Sequence, residues 1–239
     1  MTKMFRNEFG LRCVSPNYIR DELLHSGIFG EPSGEIPWRL SSEPFPVSPA
    51  QMEFFLLLGQ DLLEFYRAVD ALVLDSSCGK LPSWVLNYLM MRIDAPVKEM
   101  GLSKAMRGQT VRVIRPDVIL TKDGKTITEL DSVPGGIGWT AALNAAYEKA
   151  GFDVVGAGGQ MEKGFARMLA DVAGVPDPYC GIVVSEESKD YWHEMVWLGK
   201  RLESLGQAVE VLRPEELKAC HGKICGKRDR KFNVLYRFF

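Results

Sequence analysis

The chain reads as a mixed α/β protein of the α+β kind, and three observations predict it. A capped, amphipathic helix opens at Ser48, a charged β-hairpin follows at 111–130, and after Gly151 strands alternate with helices. The chain has 239 residues, of which 46% are hydrophobic and 25% charged, so it can bury a sizeable core. The formal net charge is -2, which gives no global attraction to nucleic acid or to an acidic membrane. Lys and Arg outnumber Asp and Glu from Arg213 onward, and this run reads as a solvated basic loop.

Residues 1–50 are broken by Pro32, Pro37, Pro44, Pro46 and Pro49. A short helix at Asn17–His25 and then an extended, wrapping segment are expected there. Ser48 is a candidate N-cap, Pro49 suits the first helical position, and Gln51 lies three residues after the cap. Phe54, Phe55, Leu58, Leu62, Phe65, Tyr66 and Val69 recur at helical spacing, which predicts a core-facing stripe. A second helix is expected over Ser83–Met91, with Trp84, Leu86, Leu89 and Met90 as its buried residues.

The pattern then changes to strands. Val111–Leu120 is rich in β-branched and apolar residues, Asp123-Gly124 is a turn signal, and Thr126–Leu130 resumes as a second strand. A glycine loop, Pro134-Gly135-Gly136-Ile137-Gly138, leads into a helix over Thr140–Lys149. Strands are expected at Phe152–Gly156, Gly181–Ser185, Ala208–Leu212 and Phe232–Tyr236, with helices at Gln160–Ala173 and Tyr191–Leu205 between them. That alternation predicts a βαβ unit with parallel strands. Three regions follow: 1–110, a wrapping segment and helices; 111–178, the hairpin and glycine loop; and 179–239, the βαβ unit.

The hairpin carries the chemistry. Arg115 and Asp117 are two apart and leave one face of the first strand; Glu129 and Asp131 do the same on the second. A suitable register gathers three carboxylates and a guanidinium on one surface. Such a set suits Mg²⁺, a hard cation that takes carboxylate and phosphate oxygens. Arg115 suits a phosphate oxygen, and the helix start after Gly135, Gly136 and Gly138 suits an anion. An ordinary exposed hairpin with cross-strand ion pairs accounts for the same spacing.

The segment Arg115-Pro-Asp117, Asp123-Gly124, Glu129-Leu-Asp131-Ser-Val-Pro134 resembles the signature of the circularly permuted ATP-grasp ligases, of which glutathionylspermidine synthase is the best-known type. The family pattern is Arg-x-Asp, a turn, then Glu-x-Asn, and Glu129 lies twelve positions after Asp117. The similarity covers about residues 50–239 and is strongest at 113–138. The resemblance implies a partial ATP-grasp fold with a helical N-terminal region and a Rossmann-like pre-ATP-grasp βαβ unit. It implies a cytoplasmic, ATP-dependent carboxylate–amine ligase that makes an amide through an acyl-phosphate. Its implied cofactors are Mg²⁺ and ATP, and its implied substrates are a small carboxylate and an amine. In it Asp117, Glu129 and Asp131 hold magnesium, and Arg115 contacts the transferring phosphate. Gly135, Gly136 and Gly138 orient the acceptor carboxylate. Asp131 stands where the family has Asn, which adds a negative charge. The part of the family that grips adenine and the α- and β-phosphates has no counterpart in these residues, and no GxxxxGK[ST] loop replaces it. A ligase inactive alone, pairing with itself or with a C-terminal half, is therefore expected.

Other classes read less well. Gly156-Ala-Gly158-Gly159 hints at dinucleotide binding, but the third glycine of GxGxxG would fall on Met161. A non-catalytic interaction module would use an open edge strand at Phe232–Tyr236. The five cysteines are scattered, and Cys220-His221 with Cys225 lacks further metal ligands nearby. His193 sits among helical tryptophans and reads as structural. No G-x-S-x-G elbow, secretory leader or membrane-length apolar run is present in the sequence.

Overall fold

The computed structural model describes residues 5–6, 12–13, 15–30, 36, 38–122, 124–227 and 229–238. Pro32, Pro37 and the turn residue Asp123 lie outside them. The elements in order are β1 (Phe5–Arg6), β2 (Arg12–Cys13), α1 (Pro16–Ser26), α2 (Pro49–Ser77), α3 (Ser83–Leu89), α4 (Ala95–Leu102), β3 (Arg115–Thr121) and β4 (Gly124–Asp131). They continue with α5 (Ile137–Lys149), α6 (Gln160–Ala173), β5 (Cys180–Val184), α7 (Trp192–Ser204), β6 (Val209–Leu212), β7 (Lys218–Cys220), β8 (Lys223–Cys225) and β9 (Val234–Phe238). The chain is thus mixed α and β with small sheets, and it forms two compact units: 1–45 with 133–239, and 46–132. These bounds cut across the regions 1–110 and 111–178.

In the first unit, three parallel strands run in the order β6-β5-β9. The crossover β5-α7-β6 is the expected βαβ unit, and β9 returns on the other side of β5. All five residues of β5 are buried, as a strand covered on both faces requires. The core joins Ile182 and Val184 of β5 to Met195, Leu198 and Leu202 of α7 and Leu169 of α6. Ile19 and Leu23 of α1 belong to the same core. Helix α1 starts where Ser15 accepts the amide proton of Asn17 and stops at Gly27 in the left-handed region.

The expected strand at Phe152–Gly156 is absent; residues 152–154 are irregular and 155–159 form turns. Their backbone groups are satisfied by α5 instead. Phe152 N donates to Tyr147 O at 3.0 Å, and Asn144 Nδ2 donates to Val155 O at 2.9 Å. Val154 inserts into the core and Phe152 packs against it, edge-on to Tyr147, while Val155 is exposed. Strand β9 also begins two residues later than expected, because Asn233 is spent on Tyr179, donating its N–H to Tyr179 O and accepting from Tyr179 N.

In the second unit, α2 opens with a complete capping box. Gln51 N donates to Ser48 Oγ at 3.2 Å, and Ser48 N donates to Gln51 Oε1 at 2.8 Å. Its apolar stripe is only partly core. Leu58 and Leu62 are buried, but Phe55 and Phe65 are 39% and 54% exposed. The expected burial of Trp84 is likewise overturned, since it is 67% exposed and α3 has no buried residue. α3 meets α2 at its other side, where Ser76 Oγ accepts from Leu86 N at 3.2 Å and donates to Pro82 O at 3.3 Å. Residues 111–114 are not strand; the ladder starts at Arg115.

Candidate functional site

The hairpin β3–β4 sets the side chains of interest by register. Arg115 lies opposite Asp131, and Asp117 lies opposite Glu129. Directly opposite residues share a face, so all four side chains leave the same side of the ladder. The register then slips between Asp117 and Val118, leaving Thr128 as the extra residue of a bulge. Thr128 fastens it with Oγ1 donating to Asp117 O at 3.2 Å. The slip lies immediately beyond the Asp117–Glu129 rung, so the charged rungs close the base of the hairpin and the bulge separates them from its exposed tip.

Arg115 lies between two carboxylates. Its Nε is 3.7 Å from Asp117 Oδ1, and its Nη2 is 3.4 Å from Asp131 Oδ2. All three side chains are substantially exposed, so each such pair contributes ~0–1 kcal/mol. The donor chemistry of Asp117, Glu129 and Asp131, hard carboxylate oxygens on one face, fits a hard divalent cation. Their arrangement does not form a closed ligand set: among the described residues, no three His, Cys, Asp or Glu side chains converge closely enough to hold a metal ion. Cys220, His221 and Cys225 form no such group either.

The glycine loop belongs to the other unit and has its own architecture. Each glycine answers a separate demand. A Cβ on Gly135 would overlap the ring of Tyr191, with Phe238 next to it. Gly136 caps α5 at φ 85°, a conformation that disfavours other residues. A Cβ on Gly138 would come within 2.7 Å of Glu194 Cγ. Tyr236 OH donates to Pro134 O at 3.1 Å, tying the loop to β9. The loop lies beside Tyr191 and Phe238, beyond the carboxyl ends of β5 and β9, the side of a parallel sheet where ligands bind.

The sequence reading missed Glu194. It sits in the first turn of α7 and is 1% exposed. Its Oε1 accepts from Gly138 N at 2.8 Å. A buried carboxylate thus already occupies the N-terminal amide of α5 that an acceptor anion was expected to use. Nothing in Trp192-His193-Glu194-Met195 marks this: a glutamate early in a helix is ordinary at a surface. Only its spacing with Leu198 and Gly199 on the helix face that meets the sheet offered a signal. His193 is exposed, with its ring beside Gly30.

A second feature is a cavity of about 170 Å³ bounded by α5, α6, α7 and the Gly156–Gly159 turn. Glu162, 3% exposed, accepts from Arg201 Nε at 3.2 Å. Glu148 Oε2 accepts from Gly158 N at 3.0 Å, and Lys163 Nζ donates to Gly158 O at 2.8 Å. These contacts hold the glycine turn onto the start of α6. With no strand leading into it, the turn lacks the element a dinucleotide fingerprint requires.

Among the described residues no helix is long and apolar enough to cross a membrane. The chain matches no known protein family and no curated protein.

Proposed function

We propose that the chain carries the metal- and phosphate-binding part of an ATP-dependent carboxylate–amine ligase of the circularly permuted ATP-grasp type. The observation that supports it is the register of one hairpin: Arg115 opposite Asp131 and Asp117 opposite Glu129, on one face. In this reading Asp117, Glu129 and Asp131 hold Mg²⁺, which when bound neutralises charge on a transferring phosphoryl group. Arg115, held between Asp117 and Asp131, turns its guanidinium to a phosphate oxygen and stabilises the charge that develops there. A carboxylate receives the phosphoryl group, and an amine then displaces phosphate to leave an amide. The extra negative charge of Asp131 favours the cation and is offset by Arg115 at 3.4 Å. Because Glu194 fills the Gly138 amide, this reading assigns the acceptor carboxylate to Arg115 and the cation rather than to the start of α5.

Titration of Mn²⁺, a spectroscopic stand-in for Mg²⁺, tests the reading by electron paramagnetic resonance. Wild-type protein binds the ion, and Glu129→Gln and Asp117→Asn weaken binding at least about tenfold while leaving the circular dichroism spectrum unchanged. Binding that is absent, or equal in all three proteins, removes the hairpin from any metal-assisted chemistry.

A further inference from the structure

Two cysteines that the ligase reading does not use stand diagonally from each other across the β7–β8 hairpin. Its pairs are Lys218 with Cys225, Ala219 with Ile224, and Cys220 with Lys223. Side chains of opposite residues share a face, and so do residues two apart along a strand. Cys220 and Cys225 therefore stand on one face as diagonal neighbours. The connection between the strands is only His221-Gly222, with φ 51° and 72°. Both central residues in the left-handed region define the tight hairpin turn that fits the twist of paired strands.

The rest of the unit holds this geometry in place. Cys225 bridges to Lys231, and Phe232 N donates to Ile224 O at 3.1 Å, so β8 is paired on both sides. Lys218 anchors to Asp229 at 2.9 Å. Cys225 is fully buried, whereas Cys220 is half-buried and open to a small reagent. Lys218 and Lys231 place positive charge next to the thiols, and Asp229 is the acidic group nearby. The two sulfurs sense each other: burial first, then hydrogen bonding and charge from Cys220, push the Cys225 thiol up to about 11. This polarity divides the roles. The half-buried thiol meets a reagent first, and the buried one stays protonated until a partner sulfur is presented.

We infer that Cys220 and Cys225 are a redox pair that closes to a disulfide within the β7–β8 hairpin when the protein meets a peroxide. The Cys220 thiolate attacks one peroxide oxygen, the O–O bond breaks, and the departing oxygen leaves as water after taking a proton. Cys220 is then a sulfenic acid. Cys225 sulfur attacks it, the new S–S bond replaces the S–O bond, and a second water leaves with the Cys225 proton. The two sulfurs lose two electrons and the peroxide gains them. A thiol reductant reverses the step by exchange. The inference concerns the 218–232 segment alone and stands whether or not the hairpin β3–β4 binds a metal.

Hydrogen peroxide on the intact chain, followed by alkylation and tryptic mass mapping, tests it. The substitution Cys78→Ser removes an exposed cysteine that would cross-link two molecules. The expected product joins peptide 219–223 to peptide 224–227, lighter by two hydrogens, and dithiothreitol separates them. In Cys225→Ser the sulfenic acid at Cys220 persists and is captured by dimedone several-fold more than in the parent. Two results overturn the inference. One is Cys220 passing to sulfinic acid while Cys225 stays alkylatable after denaturation. The other is peroxide leaving both thiols alkylatable while an oxidised methionine shows that the reagent acted.

Discussion

Gly135, Gly138 and Gly59 show how differently one residue type can be used. Gly135 has no room for a methyl group, because Tyr191 and Phe238 close over it. Gly138 gives its amide proton to a buried glutamate at 2.8 Å, and a Cβ built on it would come within 2.7 Å of Glu194 Cγ. Gly59, inside α2, has nothing within 4 Å of a Cβ built on it. Overpacking a filled site costs about 1–3 kcal/mol, while filling an open helical position gains roughly 0.5–1 kcal/mol. Gly135→Ala therefore destabilises the protein and Gly59→Ala stabilises it, as read from urea midpoints. Equal and small effects at both positions would show that the Tyr191 ring swings clear of Gly135 at little cost.

At the scale of elements, the capping box of α2 was legible because its signals are local. Ser48, Pro49 and Gln51 act within one turn, and no distant residue is needed. Ser48→Ala removes the acceptor for Gln51 N and leaves the reciprocal bond from Ser48 N weaker. The expected loss is about 1 kcal/mol, within a range of roughly 0.5–2. Helix loss at 222 nm under urea measures it, and an unchanged midpoint would mean that water caps α2 equally well. The βαβ unit was legible for a similar reason: Gly181–Val184 is apolar without alternation, the pattern of a strand covered on both faces. Phe152–Gly156 carries the same kind of apolar residues and is no strand, because α5 supplies partners for its backbone groups. Trp84 and Phe65 look like core residues by spacing, yet spacing says which residues share a face, not whether anything covers it. Periodicity put Arg115 with Asp117 on one face of the first strand and Glu129 with Asp131 on one face of the second; that the two faces coincide came from the register, which periodicity leaves open. Glu194 was illegible because its meaning comes from Gly138, 56 residues away in sequence.

At the scale of the whole molecule, the two units differ in how they are held. The buried hydrophobic cluster draws on α1, α5, α6, α7 and the parallel sheet, all within residues 1–45 and 133–239. Among the described residues of 46–132 the buried side chains are Leu58, Leu62 and Ser76, and the hairpin is exposed over most of its length. Local opening costs least where few apolar contacts hold an element. Amides of β5 then exchange with solvent only when the whole first unit unfolds, whereas those of α2 exchange through opening of the second unit alone. Hydrogen–deuterium exchange followed by mass spectrometry should find peptides spanning 180–184 slower than those spanning 58–72 by ~100-fold or more. Equal protection in the two segments would mean that α2 draws stability from something beyond Leu58, Leu62 and Ser76. The hairpin gives the third reading in the same experiment. With most of its residues exposed, its amides exchange fast in plain buffer. Protection of residues 115–131 that appears on adding Mn²⁺ would place the cation on that face, since a ligand slows exchange only in the segment whose opening it opposes.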